Sequence, residues 1–140
     1  MDFSSPRFSC HVIDDVLIGV HTTESPTDED WDAWIDASRR ALDGHGGCRA
    51  LVVSMGANPN SKQRSKVNEL FQDRPQRVAV MLDSRLARGA VTALSWFNPE
   101  IKPFNLAQFD EACNHLDIRG EMRARVRTVL AEMRAALSIG

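Results

Sequence analysis

Arg77 to Asn98 reads RVAVMLDSRLARGAVTALSWFN, and this stretch contains the pattern that decides the fold. Val78 to Leu82 is an unbroken apolar run, which is typical of a strand buried on both faces of a sheet. Asp83 and Ser84 follow as a polar turn. The small residues that come next predict a helix thin enough to pack closely against the sheet. Strand, turn and close-packed helix together predict an α/β unit with a parallel sheet.

Upstream of this unit the chain begins with a predicted hairpin. Phe8 to Ile13 and Val16 to Val20 are two short β-type runs, and an Asp-Asp pair separates them. His11 and His21 lie at the edges of the hairpin. Neither has a metal-ligand partner at a suitable spacing, so we expect both to be surface or strand-end residues.

The next segments alternate between helix and strand. Thr27 is expected to cap a helix that ends at Gly44, because three acidic residues follow it in the first turn. Trp31 and Trp34 share one face of that helix, and a pair at this spacing indicates core packing more than a ligand platform. Cys48 to Val53 then predicts a second buried strand.

Further capping signals predict the remaining elements of the domain. Ser61 is expected to cap a short helix that runs to Gln72. Ile101 to Phe104 predicts a last short strand, and Pro103 inside it favours the edge of the sheet. Asn105 is expected to start the following helix, because Asn105 and Gln108 have the spacing of a capping box.

The last predicted helix, Gly120 to Leu137, carries apolar residues at helical spacing. We call this set the apolar stripe; it must be buried on the domain or on a partner chain. A homodimer through the apolar stripe is one hypothesis, and it would use Met122, Val126, Val129, Leu130 and Met133.

The predicted fold class is therefore α/β, with the order β-β-α-β-α-β-α-β-α and an added C-terminal amphipathic helix. Such an order predicts a mixed, mostly parallel sheet with helices packed on it. We expect residues 1–118 to form the α/β domain and residues 119–140 to form the extra helix.

Composition bounds the function. The chain has 140 residues and a net charge of −2, which fits one globular domain and gives no reason to expect nucleic acid as a partner. Neither a signal peptide nor a run of transmembrane length is present, so we expect a cytoplasmic location without stable membrane insertion. The three cysteines form no CxxC motif, which favours buried, reduced thiols.

Three blocks of sequence carry a family resemblance: NPNSKQRSKVNEL (Asn58 to Leu70), RVAVMLDSRLARGAVTALSWF (Arg77 to Phe97) and IKPFNLAQFDEACNHL (Ile101 to Leu116). Together they cover most of residues 8 to 118. The chain resembles the STAS domains, and within them a bacterial SpoIIAA-like, anti-sigma-factor-antagonist-like group of small soluble proteins. The resemblance implies a single STAS-like domain with a regulatory role in bacterial signalling. A weaker similarity, at the level of fold, links the chain to lipid-transfer CRAL-TRIO domains.

The resemblance also implies a modification site. In signalling STAS proteins a partner kinase phosphorylates a serine at the start of the helix after the third strand, within a DSSG-like motif. The corresponding region here reads NPNSKQRS, with Ser61 as the nearest counterpart and Ser65 as a second option. The acidic residue and the following glycine of that motif are missing here.

The candidate binding site follows from the predicted topology. In open parallel sheets, ligands bind beyond the carboxyl ends of the strands. Two such ends are Ser54 to Arg64 and Asp83 to Gly89, and they converge if the strands are neighbours. Arginines at this position can bind an anion or a protein carboxylate through forked contacts. The predicted ligand- or partner-binding residues are Ser61, Gln63, Arg64, Ser84, Arg85 and Arg88.

No enzyme motif supports catalysis: GxSxG, HExxH, the Walker loop and GxGxxG are all absent from the sequence. We therefore expect neither catalysis nor a cofactor. The leading hypothesis is a regulatory domain that binds an unidentified partner protein through the loop edge or the last helix. The alternatives are a protein that binds a small anionic or lipid-like ligand, and an anti-sigma-factor antagonist switched by phosphorylation.

Overall fold

The computed structural model describes residues 2–57, 59–72, 76–83 and 100–138. The helix predicted after Asp83 falls in the gap before residue 100 and so lies outside the described residues. Within the described ranges the chain forms six strands and four helices, in the order β1 (Phe3–Ser4), β2 (Phe8–Ile13), β3 (Val16–His21), α1 (Asp28–His45), β4 (Cys48–Ser54), α2 (Ser61–Phe71), β5 (Gln76–Leu82), β6 (Ile101–Asn105), α3 (Phe109–His115) and α4 (Gly120–Ala136).

The six strands form one mixed sheet in the order β1-β2-β3-β4-β5-β6. β1, β2 and β3 pair antiparallel, whereas β3 to β6 pair parallel. The predicted α/β class, the hairpin and the edge position of the strand containing Pro103 are confirmed. The sequence did not predict β1, because two residues are too few to produce a periodic pattern.

Helices cover both faces of the sheet, and strand alternation decides which side chains meet them. In β3, Val16, Ile18 and Val20 face α3 and α4. Leu17 lies on the other face, in a cluster with Trp31 and Trp34 of α1. Strands buried on both faces produce the continuous apolar runs from which they were predicted.

The apolar stripe packs mainly within its own chain. Val126, Leu130 and Met133 are buried against the sheet face that α3 also covers, while Met122 and Val129 are partly buried there. A homodimer through the stripe stays a prediction; of the five residues named for it, Met122 and Val129 are the partly exposed ones.

The first helix begins as predicted. Thr27 forms a capping box with Asp30, in which the Thr27 side chain accepts a hydrogen bond from Asp30 N. The end of the helix differs, because α1 continues to His45 and Gly46 adopts the left-handed C-cap conformation at φ 74°.

Two predicted helix starts are wrong by short distances. Asn60, not Ser61, caps α2: Asn60 Oδ1 accepts from Gln63 N at 2.8 Å, and Gln63 Oε1 accepts from Asn60 N at 3.0 Å. Asn105 ends β6, and α3 begins only at Phe109. Asn105 Oδ1 accepts from Ala107 N at 3.0 Å, so the side chain forms a local turn before the helix.

Candidate functional site

The parallel strands end side by side and form the candidate edge. His21 of β3 is in register with Ser54 of β4, and Ser54 is in register with Leu82 of β5. We call this side of the sheet, with the loops after β3 and β4, the carboxyl edge. Met55 N donates to His21 O at 3.1 Å, and Ala57 N donates to Thr22 O at 3.2 Å, so the loop after β4 is held against the end of β3 and the loop that follows it. The two strand ends on which the predicted site depends are therefore neighbours.

Two of the predicted binding residues lie at the surface of this edge. Ser61 is exposed as the first residue of α2, and its side chain makes no hydrogen bond within the described part of the chain. Arg64 is half-buried, and its Nη1 donates to Pro59 O at 2.7 Å. The first turn of α2 contains no acidic residue, so its cations are not neutralised within that turn.

The second half of the predicted site follows β5 in the sequence. Ser84, Arg85 and Arg88 lie outside the described residues, and their part in binding stays a prediction. Asp83, the residue that directly follows β5, is exposed at the carboxyl edge.

Gln63 occupies a different position from the one predicted, because its side chain is only 2% exposed. Its Nε2 donates to Pro26 O and to Asp28 Oδ1, both at 3.2 Å. Its backbone oxygen accepts from Trp31 Nε1 at 2.7 Å. We call these contacts of Gln63 with Pro26, Asp28 and Trp31 the α1–α2 clip.

The two tryptophans of α1 are core residues, as predicted. Trp31 is 7% exposed and Trp34 is 5% exposed, and both pack in the cluster between α1 and the sheet. Phe8 meets Trp34 edge-on with ring centroids 5.8 Å apart. The hydrogen bond from Trp31 to Gln63 was not predicted, since it joins residues 32 positions apart.

A part-buried ion pair joins Arg7 to Asp30 at the start of α1. Asp30 is 1% exposed, and its Oδ2 accepts from Arg7 Nε at 2.9 Å and from Thr27 N at 3.0 Å. Burial raises the pKa of the Asp30 carboxyl, but the hydrogen bonds from Arg7 and Thr27 outweigh this and bring the pKa below its usual range. The N-terminal turn and α1 are thereby joined beside the carboxyl edge.

His21 is a buried residue of the carboxyl edge. It ends β3, as predicted, yet it is 7% exposed and stacks on Phe8 with ring centroids 4.6 Å apart. Burial lowers the pKa of His21 to about 4, with a smaller opposing effect from the charge of Asp30. The imidazole is therefore neutral at pH 7, and its Nδ1 has no hydrogen-bond partner among the described residues.

The cysteines are poorly suited to nucleophilic chemistry. All three are buried and free. Burial raises the pKa of Cys10 and Cys48 to about 12 and also raises that of Cys113, and a thiol rather than a thiolate is a weak nucleophile. In the described ranges no cluster of His, Cys, Asp and Glu is arranged to hold a metal ion. None of the described helices has both the length and the hydropathy that a membrane span requires.

A cleft of about 600 Å³ lies at the opposite, amino edge of the sheet. Two arginines line it, and carboxylates already pair with both. Arg49 forms a fork with Asp15 at 2.9 and 2.6 Å, and Arg77 Nε lies 3.1 Å from Glu100 Oε2. These contacts join the starts of β4 and β5 to Asp15 and Glu100 in neighbouring parts of the chain, so we assign the cleft a structural role.

Comparison with known proteins supports the fold. No family model matches the sequence, and no curated protein matches it. Among solved structures, the chain is similar to an uncharacterized protein of the DUF3478 family from Shewanella loihica PV-4, which has a SpoIIAA-like fold. The two chains share 21% identity with a TM-score of 0.60, and the match covers 78% of this chain and 91% of the other.

This chain has a SpoIIAA-like fold. The predicted SpoIIAA-like resemblance is thus confirmed for the fold. Within the SpoIIAA-like fold, Ser61 begins the helix that follows the third of the long strands, β4. At this level of identity the likeness describes the fold, and function has to be argued from the site.

Proposed function

We propose that this chain is a non-catalytic regulatory domain that binds a partner protein at the carboxyl edge. The observation that carries the proposal is the position of Ser61 and Arg64 on the first turn of a helix that is firmly joined to its neighbour. Ser61 offers an exposed hydroxyl. Arg64 Nη1 donates to Pro59 O, and among the described residues the rest of the guanidinium makes no hydrogen bond or ion pair. A carboxylate on a partner would match this group.

The chemistry of the surrounding residues supports binding in preference to catalysis. His21, the histidine at this edge, is buried and neutral, and the thiols of the chain are protonated and buried. The loops after β3 and β4 are hydrogen-bonded to each other, so the edge needs little reorganisation when a partner docks.

The test is affinity capture from the native cell with an Arg64→Glu variant. Arg125 is exposed on α4, which covers the other face of the sheet, so Arg125→Glu is the matched control. We expect wild type and the control to retain the same partner, and Arg64→Glu to lose it by at least about tenfold, since a charge-assisted hydrogen bond contributes about 1.5–3 kcal/mol. Equal retention by all three proteins, measured on samples with the same thermal midpoint, would refute binding through this edge.

A second candidate function is a phosphorylation switch at Ser61. It is favoured by the finding that Asn60 provides the cap, which leaves the Ser61 hydroxyl exposed at a helix N-terminus. A phosphate there is stabilised by the helix dipole and by Arg64 one turn later. Protein purified from the native cell should carry one added phosphate that is absent from Ser61→Ala and present in Ser65→Ala; an unmodified wild-type mass under conditions that preserve phosphate removes this candidate.

A further inference from the structure

We propose that Gln63 and Trp31 are positioning residues of the carboxyl edge, holding Ser61 and Arg64 in a fixed orientation. The inference rests on the proposed function, since it concerns how the same edge presents its surface. It replaces direct contact with a partner as the role of Gln63.

The contacts of Gln63 account for every polar group of its side chain. Oε1 accepts from Asn60 N, and the two N–H groups of Nε2 have Pro26 O and Asp28 Oδ1 as acceptors. Its backbone N–H donates to Asn60 Oδ1. Because its side chain is only 2% exposed, Gln63 is inaccessible to a ligand. Its removal would leave the buried Pro26 O without this donor and would break the partly buried contacts with Asn60 N and Asp28 Oδ1.

Trp31 makes the other half of the clip. Its indole is packed under α1 and 7% exposed, and its Nε1 donates to Gln63 O at 2.7 Å. That oxygen belongs to the first turn of α2, two residues after Ser61 and one before Arg64. A hydrogen bond from a side chain fixed in the core therefore sets the position of the segment that carries both surface residues.

The consequence is that the starts of α1 and α2 behave as one unit. Asp28, in the first turn of α1, accepts from Gln63, and Lys66 Nζ lies 3.0 Å from Asp32 Oδ1 one turn further along. The clip makes the carboxyl edge preorganised, so a partner avoids the entropic cost of ordering α2.

Hydrogen–deuterium exchange of the α2 amides tests this without knowledge of the partner. The Gln63→Glu substitution replaces the two N–H donors of the side-chain amide with a carboxylate oxygen that faces Asp28. We expect exchange over residues 63–67 to rise by about tenfold, while the amides of β3 and β4 change little. Adding Asp28→Asn restores a donor opposite the new carboxylate and should return exchange to within about threefold of wild type.

Trp31→Phe is the second variant, because it removes the indole N–H and keeps most of the packing. Trp34→Phe is its control: Trp34 lies in the same cluster, and its side chain makes no hydrogen bond to α2 among the described residues. We expect faster exchange over residues 63–67 in Trp31→Phe and wild-type exchange there in Trp34→Phe. If Gln63→Glu does not fold, the comparison of Trp31→Phe with Trp34→Phe still tests the inference independently.

The outcomes separate the two proposals. Unchanged α2 exchange in Trp31→Phe, or failure of Asp28→Asn to rescue a folded Gln63→Glu protein, overturns the positioning inference. If Trp31→Phe loses protection of the α2 amides but Arg64→Glu captures the partner as well as wild type does, the α1–α2 clip still holds α2 in place. The proposed function is then overturned. Loss of α2 protection together with weaker capture by Trp31→Phe than by Trp34→Phe supports both.

Discussion

Gly19 lies in the middle of β3, and we predict that Gly19→Ala destabilises the protein through a clash with Trp34. An added Cβ would lie 2.5 Å from Trp34 Cζ3 and 3.0 Å from Cη2. The indole is 5% exposed and meets Phe8 edge-on, so it has little freedom to move away. The glycine is therefore required for the close approach of α1 to the sheet.

The magnitude follows from two opposing effects. Overpacking a core costs about 1–3 kcal/mol, and the lower backbone entropy of alanine in the unfolded chain offsets about 0.5–1 kcal/mol of this. The difference spans about 0–2.5 kcal/mol, and because Trp34 is held in the core we expect a net loss in free energy of unfolding in its upper part, at about 1–2 kcal/mol. For a domain of this size that corresponds to a fall in the thermal midpoint of roughly 3–8 °C.

The assay is equilibrium urea unfolding followed by circular dichroism. Gly44→Ala is the matched control, because Gly44 lies in α1 and a Cβ there has nothing within 4 Å; it should raise stability by about 0.5–1 kcal/mol. In a Trp34→Phe background, where the outer ring atoms are missing, most of the Gly19→Ala cost should disappear. A neutral Gly19→Ala, or an equal cost in both backgrounds, would show that the clash is not the cause.

Three further predictions concern pH, thiols and helix capping. Because burial lowers the pKa of His21 to about 4, against about 6.5 in an unfolded chain, the unfolded state binds more protons between these values. The contribution of His21 to the free energy of unfolding is complete above pH 6.5 and falls by up to about 3 kcal/mol as the pH drops to 4. Urea unfolding at several pH values should therefore show a weaker pH dependence of stability for His21→Leu than for wild type, with His45→Gln as control. The native protein should not react with DTNB, and all three thiols should react after unfolding in guanidinium. Asn60→Ala should cost about 1 kcal/mol in urea unfolding and Ser61→Ala almost nothing, because Asn60 is the cap of α2.

Each of these has a clear contrary result. Parallel pH profiles for wild type and His21→Leu would mean that His21 is not buried as a neutral ring. Rapid labelling of a native thiol at pH 7 would mean that at least one cysteine is accessible. A larger cost for Ser61→Ala than for Asn60→Ala would move the cap to Ser61, as the sequence first suggested.

The sequence determined the elements of this protein because their signals are local. Val78 to Leu82 and Ala50 to Val53 are apolar without interruption, since both faces of a central parallel strand are covered. Thr27 and the acidic residues after it specify a helix start through contacts within one turn. Even so, the cap of α2 was displaced by one residue, because Asn60 and Ser61 are both good caps and the local pattern does not rank them.

Tertiary structure alone decided what the side chains at the carboxyl edge do. The contacts of Gln63 join it to Pro26 and Asp28, which lie 37 and 35 positions away, and no periodicity reports such a partner. His21 stands at a strand end in the sequence, and its burial depends on Phe8 of β2 and Trp31 of α1, which lie beside it only in the folded chain. Burial and long-range hydrogen bonds depend on which elements meet in space, so the sequence placed Ser61 and Arg64 at the edge but could not separate these surface residues from the buried Gln63 between them.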